Sequence, residues 1–224
     1  MKYFLAIFAS LIVISSPMPL NDYDYKKISV SCMRYIRNVV KESRLHNLDD
    51  YSDIFMGQIE QESRCNEKIT SFDHGMGLAQ FMPDTAKWIH EKFNKELSEI
   101  SFNPNPYNPK WAIRAMILYD KFLLDKVECK NDWHFALRAY NGGLLNINRE
   151  IKLANSCDYD EVAMVCARSK FSCNVNISYP YMVFKRSLKY ILYLKDDFSF
   201  CGTCANALGD IQYFNLVWNC FYSQ

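Results

Sequence analysis

The sequence predicts an all-α or mainly α fold, and three observations carry that expectation. Apolar residues recur at steps of three and four in most segments, and almost nothing alternates with period two. Glycine and proline are scarce, seven each in 224 residues, so few segments are broken into short turn-linked pieces. Fifteen Tyr and fifteen Phe supply bulky apolar surface for a single core able to support a cleft.

Each element follows from that pattern. Residues 28–45 set Val30, Tyr35, Ile36, Val39 and Val40 at helical intervals. A second helix is expected from Ser52, an N-cap candidate, to Ser63, with Phe55, Ile59 and Glu62 on one face. Glu60 falls on another side of that helix, and Glu67 in the polar loop beyond it. Residues 64–82 contain Gly75 and Gly77 with little periodicity and read as a loop ending in Phe81-Met82-Pro83. Pro83 or Asp84 then opens a helix through Leu97. The proline-rich run 103–109 breaks the chain before a long helix at 110–126, whose buried face is Trp111, Ala115, Leu118, Tyr119 and Phe122. A helix at 132–140 ends at Asn141-Gly142-Gly143, where glycine permits a positive φ. Further helical stretches are expected at 144–155, 159–168 and 180–195.

The first twenty residues differ from the rest. Lys2, an apolar run from Tyr3 to Ile14, and Ser15-Ser16-Pro17 have the form of a secretory signal, too short to span a bilayer as an ordinary transmembrane helix. The same segment could remain as a signal anchor. Nine cysteines agree with an oxidising compartment and structural disulfides, with an odd one left over and the connectivity open. The 26 basic and 25 acidic side chains give no electrostatic case for a nucleic-acid partner. Four histidines, at 46, 74, 90 and 134, form no ligand motif, so neither a metal nor a cofactor is expected. Cys201-Gly202-Thr203-Cys204 has redox-pair spacing without the surrounding pattern of a redox domain and reads as a tail staple.

Glu62 is the candidate for chemistry. A carboxylic acid can deliver a proton to a poor leaving oxygen near neutral pH only if an apolar setting raises its pKa, and Glu62 ends an apolar stripe. Alone, a glutamate at a helix end is an ordinary solvated residue. The downstream residues set Glu62 apart: Ser63 adjoins it, Ser71 lies in the loop, and then comes Gly77-Leu78-Ala79-Gln80-Phe81-Met82-Pro83-Asp84-Thr85-Ala86, with Gln80 eighteen residues after Glu62. Ala139-Tyr140-Asn141-Gly142-Gly143 forms a second block and Tyr179-Pro180-Tyr181-Met182-Val183 a third.

These blocks, in this order, resemble the catalytic domain of the soluble lytic transglycosylases, over about residues 50–195. The resemblance implies a lysozyme-like helical domain with a substrate cleft. Glu62 would be the single acid and base, Ser71, Gln80 and Asn141 would line sugar subsites, and Tyr140 and Tyr179 would flank the acid. Tyr181 also suits the register of Tyr179. Residues 1–20 would then be a signal peptide or anchor, 21–49 a helical extension and 196–224 a Cys-containing extension. The implied partner is the glycan strand of peptidoglycan, and the implied location is the periplasm or outside the cell, with membrane contact only through an uncleaved N-terminal segment. Wall remodelling, a wall-spanning secretion or conjugation machine, and a virion are all settings that use such chemistry. Departures from the family pattern concern subsite shape: Cys65 stands where an aromatic residue is usual, Glu67 where proline is, Ala79 where methionine is common, and His74-Gly75-Met76-Gly77 replaces Gly-Ala-x-Gly.

Two rival readings stay open at this level. A lysozyme-type muramidase would hydrolyse the same bond, with Asp73 or Asp84 holding the water. A non-catalytic wall-binding protein could use the same fold without the chemistry.

Overall fold

The computed structural model describes residues 28–194, and nine α-helices make up nearly all of its regular structure. The N-terminal apolar segment and Cys201, Cys204 and Cys220 lie outside the described residues. Helix α1 (Val30–Leu45) is capped by Ser29, whose Oγ accepts from the Cys32 amide at 3.3 Å. A single 3₁₀ turn (Asp49–Tyr51) leads into α2 (Ser52–Ser63). Ser52 is the first residue of that helix and not its N-cap: its hydroxyl donates back to the Asp49 carbonyl at 2.7 Å and meets Ser43 Oγ at 2.7 Å, and the cap position falls to Tyr51, whose side chain does not cap the helix.

The stretch expected as one helix over 83–97 divides at Phe93 into α3 (Pro83–Lys92) and the one-turn α4 (Asn94–Leu97). Helix α5 (Pro109–Lys126) is capped by Asn108, with proline in the first position where its missing N–H goes unneeded. Helix α6 (Trp133–Gly142) is capped by Asp132 and stops at Gly143, whose φ of +85° suits glycine. Then come α7 (Leu144–Ala154), α8 (Tyr159–Met164) and the long α9 (Lys170–Leu194). The last begins ten residues before the expected start and carries Pro180 inside it.

Helix α2 is the centre of the molecule. From Ser52 to Glu60 every residue is buried, and α9 packs along it more extensively than any other pair of helices meets. Gly57 makes that approach possible, since a Cβ there would sit 2.5 Å from the Val183 carbonyl oxygen and 2.8 Å from the Ser187 amide. Burial on every side leaves the polar residues of α2 in need of partners. Glu60, 2% exposed, receives Lys189 Nζ and the Tyr190 hydroxyl, each at 2.6 Å, and Arg186 Nε donates to Gln61 at 2.8 Å. Gln58 Nε2 reaches Asp120 Oδ1 on α5 at only 3.4 Å, and Gln58 Oε1 and Asp120 Oδ2 have no partner, although both residues are wholly buried.

Among the described residues three disulfides join Cys32 to Cys65, Cys129 to Cys157 and Cys166 to Cys173. The first fastens α1 to the residues just past α2, so Cys65, a departure from the usual aromatic residue, supplies a covalent anchor. Arg114 on α5 adds a two-pronged bond to Glu42 on α1, at 2.7 and 3.1 Å.

Candidate active site

Helix α2 ends abruptly. Arg64 and Cys65 take left-handed backbone, with φ of 52° and 61°, so Glu62 occupies the last turn and reaches the boundary between core and solvent. Its Oε1 accepts a hydrogen bond from the Tyr179 hydroxyl, which α9 brings in from 117 residues away. Tyr179 is itself only 4% exposed. Burial pushes the Glu62 carboxyl up to about 7, against the opposing pull of the Tyr179 hydrogen bond, with a smaller upward contribution from the negative charge of Asp73. A group titrating there holds a proton at neutral pH and can also release it.

The loop after α2 is organised by two isolated antiparallel bridges, Thr70 to Met76 and Met76 to Phe81. Within it, Ser71 Oγ donates to Asp73 Oδ1 at 2.5 Å and accepts from the Gly75 amide at 2.8 Å. Gln80 adopts a φ of +49° and donates to the Gly77 carbonyl at 2.7 Å. Ser71 and Gln80 converge on Gly75: a Cβ there would meet Ser71 Oγ at 2.7 Å and Gln80 Oε1 at 2.9 Å. The bond from Ser71 holds the Asp73 carboxyl below its ordinary range.

Helix α6 closes the arrangement. The Tyr140 hydroxyl donates to the Ala79 carbonyl at 2.7 Å, next to Gln80, while its ring packs against Phe81 and Tyr119 at 5.8 and 5.5 Å. Burial, and after it the charge of Glu62, keeps the Tyr140 phenol well above its usual range, and Tyr179 behaves likewise. Both tyrosines are therefore neutral donors. Asn141 follows Tyr140 and is exposed, its Oδ1 accepting from Asn176 Nδ2 at 3.1 Å.

Of the residues singled out from sequence, Glu62 and Tyr179 touch, Ser71 and Gln80 converge, and Tyr140 is tied to the residue preceding Gln80. Tyr181 is elsewhere, in an aromatic group with Tyr159 and His134 at 5.4 and 6.2 Å. Asp84 is exposed in the first turn of α3, and Glu67 accepts from the Tyr35 hydroxyl at 2.5 Å. Sequence reasoning missed Asp120 and the polar group behind Asn141, formed by Arg138, Glu150, Arg168 and Asn176. No group of His, Cys, Asp and Glu among the described residues could hold a metal ion.

A helical domain that buries one glutamate at the end of its central helix, raises its carboxyl to about 7 and bonds it to a tyrosine from a distant helix holds a group able to give and take a proton near neutral pH. The Transglycosylase SLT domain family matches residues 46–163, more than half of the chain, and the chain belongs to that family. Among solved structures it is similar to an inactive variant of the lytic transglycosylase Slt from Pseudomonas aeruginosa. The TM-score is 0.55 at 20% identity, over 72% of this chain and 24% of that one, a likeness of fold. The 70 kDa soluble lytic transglycosylase of Escherichia coli aligns with a TM-score of 0.49 at 19% identity, over 74% of this chain and 30% of that one. The chain thus spans about a quarter to a third of the length of these two relatives. No curated protein matches the sequence.

Proposed function

We propose that this protein is a peptidoglycan lytic transglycosylase that cleaves the β-1,4 bond between N-acetylmuramic acid and N-acetylglucosamine and leaves 1,6-anhydro ends. The observation that carries the reading is Glu62 itself, raised to about 7 by burial while bonded to the buried Tyr179 hydroxyl. A carboxyl of that kind suits a reaction in which one group serves first as acid and then as base.

In the first half, Glu62 donates its proton to the glycosidic oxygen as the bond from C1 breaks, and the substrate's acetamido group stabilises the positive charge at C1. The ionised Glu62 is then a stronger acceptor for the Tyr179 hydroxyl, which holds the carboxylate in place. In the second half, Glu62 takes the proton from the C6 hydroxyl as that oxygen closes onto C1. The enzyme ends as it began, and no water is consumed. Ser71, Gln80, Tyr140 and Asn141 are assigned to the sugar subsites.

Hydrolysis would require a group that presents a water to C1, and the two carboxylates considered from sequence, Asp73 and Asp84, are poor candidates. Asp73 is engaged by Ser71 at 2.5 Å within its own loop, and Asp84 is exposed in the first turn of α3. The three disulfides agree with an oxidising compartment, as the substrate requires, and residues 1–20 are assigned to export. Among the described residues no helix is long and apolar enough to cross a membrane. Residues 50–195 are assigned as the catalytic domain, with α1 sharing its core.

The test is digestion of purified peptidoglycan and mass spectrometry of the soluble products. Anhydro ends are expected from the wild type and none from Glu62→Gln. Ordinary reducing ends would make the protein a muramidase, and equal clearing by both proteins would remove Glu62 from the chemistry.

A further inference from the structure

Asn141 is exposed, yet half of its side chain is already committed. Its carbonyl oxygen accepts from Asn176 Nδ2 at 3.1 Å, and the orientation of Asn176 leaves no alternative. Asn176 Oδ1 accepts from two guanidinium groups, Arg138 Nε at 3.0 Å and Arg168 Nη2 at 2.8 Å, and a guanidinium can only donate. The oxygen of Asn176 must therefore face the arginines and its NH₂ must face the other way. That NH₂ spends one proton on the Arg138 carbonyl at 2.8 Å and the other on Asn141.

The arginines are fixed in turn. Glu150 receives Arg138 Nη2 at 2.5 Å and Arg168 through Nε and Nη2 at 3.1 and 2.9 Å. Asn176 is 1% exposed and Glu150 4%. The glycine turn lies directly on this group, since a Cβ on Gly142 would be 2.5 Å from Arg168 Nη1 and 2.6 Å from Asn176 Nδ2. The Cys166–Cys173 disulfide, across a sequence separation of 7, encloses Arg168 and the start of α9 and so holds the segment that presents the guanidinium.

We infer that Arg168 and Asn176 are positioning residues that fix Asn141 as a hydrogen-bond donor toward an acceptor oxygen of the bound sugar. This rests on the assignment of Asn141 to a sugar subsite. Asn176→Asp keeps the side chain's shape and reverses the arrangement at Asn141. An aspartate accepts from both arginines and supplies a counter-charge where Glu150 alone faces two guanidinium groups, but it can donate neither to Asn141 nor to the Arg138 carbonyl. The Asn141 amide then turns its NH₂ inward and shows the sugar a carbonyl.

Two measurements decide the matter. In ¹⁵N-labelled protein without substrate, the side-chain amide signals of Asn141 are expected to shift in Asn176→Asp and, by less, in Arg168→Ala, where Arg138 Nε still holds Asn176 Oδ1. Co-sedimentation with peptidoglycan, in a Glu62→Gln background that cannot turn over, is expected to weaken roughly five- to tenfold in Asn176→Asp. The same substitution made on top of Asn141→Ala is expected to cause no further loss. Unchanged Asn141 signals in both variants overturn the inference whatever the protein does to walls, as does an equal loss with and without Asn141. If the Glu62→Gln protein fails to sediment with peptidoglycan at all, the proposed substrate is wrong, and the amide signals alone decide the positioning role.

Discussion

Replacing Tyr179 by phenylalanine should move the pH dependence of the reaction in a direction the structure fixes. The Tyr179 hydroxyl donates to Glu62 and thereby lowers a carboxyl that burial raises to about 7. A hydrogen bond to a charged group contributes about 1.5–3 kcal/mol, most of it lost when the acceptor is neutral. Since about 1.4 kcal/mol corresponds to one pKa unit, the Glu62 carboxyl in Tyr179→Phe should rise by about one to two units. The free enzyme needs protonated Glu62, so kcat/KM should be level below pH 7 in the wild type and fall about tenfold per unit above it. In the variant that falling limb should begin at about pH 8 to 9. The plateau should also drop, because Glu62 loses the bond that fixes its rotamer. Initial rates of wall clearing across pH, with both limbs fitted, measure the shift. A limb that stays near 7 or moves to lower pH would refute the account of how Tyr179 acts on the acid.

The same geometry carries other expectations. Glu62 titrates near 4.5 in an ordinary setting and near 7 when folded, so it is neutral in both states at low pH and opposes folding increasingly as pH rises between those values. Glu62→Gln should therefore be more stable than wild type at pH 8, by roughly 3 kcal/mol at most, with the gap closing below pH 4.5 in thermal melts. Burial likewise holds the Asp120 carboxyl well above its ordinary range, and its Oδ2 lacks a partner. Asp120→Asn, whose amide can donate to the free Gln58 Oε1, should stabilise the protein at neutral pH by about 1–3 kcal/mol; a lower melting temperature would count against the buried neutral acid. Gly57→Ala should cost about 1–3 kcal/mol by forcing α2 and α9 apart, and should reduce wall clearing by more than the unfolded fraction explains. Activity that tracks the folded fraction alone would show that the helix crossing does not set the distance between Tyr179 and Glu62.

Much of the fold is legible because amphipathic helices write their period into the chain. The limits of α2 emerge at Ser52 and Ser63 from the spacing of Phe55, Ile59 and Glu62 and from the loop composition beyond them. The pattern places the start of α9 too late because proline ordinarily ends a helix. Here Tyr179, Val183 and Phe184 on either side of Pro180 are buried, and packing against α2 outweighs the missing hydrogen bond. The long helix at 110–126 is expected to bury one face, yet Ile113, Ile117, Asp120 and Leu124 form a second buried row, so α5 lies between two layers. Asp120 resembles an ordinary surface carboxylate in the sequence for that reason. The acid, the loop and the tyrosine blocks are visible as motifs of known order. The group behind Asn141 is not, because its members come from α6, α7, a loop and α9, and no local period connects them.

Glu62 has its raised pKa because the finished fold buries it, and α9, more than a hundred residues further along, packs along the helix that carries it. Before α9 docks, the same carboxyl has no Tyr179 above it, less apolar cover, and the ordinary acidity of a glutamate in water. Bringing together groups so distant in sequence requires closing a long loop, which places the contact late in assembly. A chain that stops short of α9, or that is held unfolded, would thus carry Glu62 without its raised pKa. On the function proposed above, activity is a property of the completed fold, and the protein is inert toward the wall until α9 has docked.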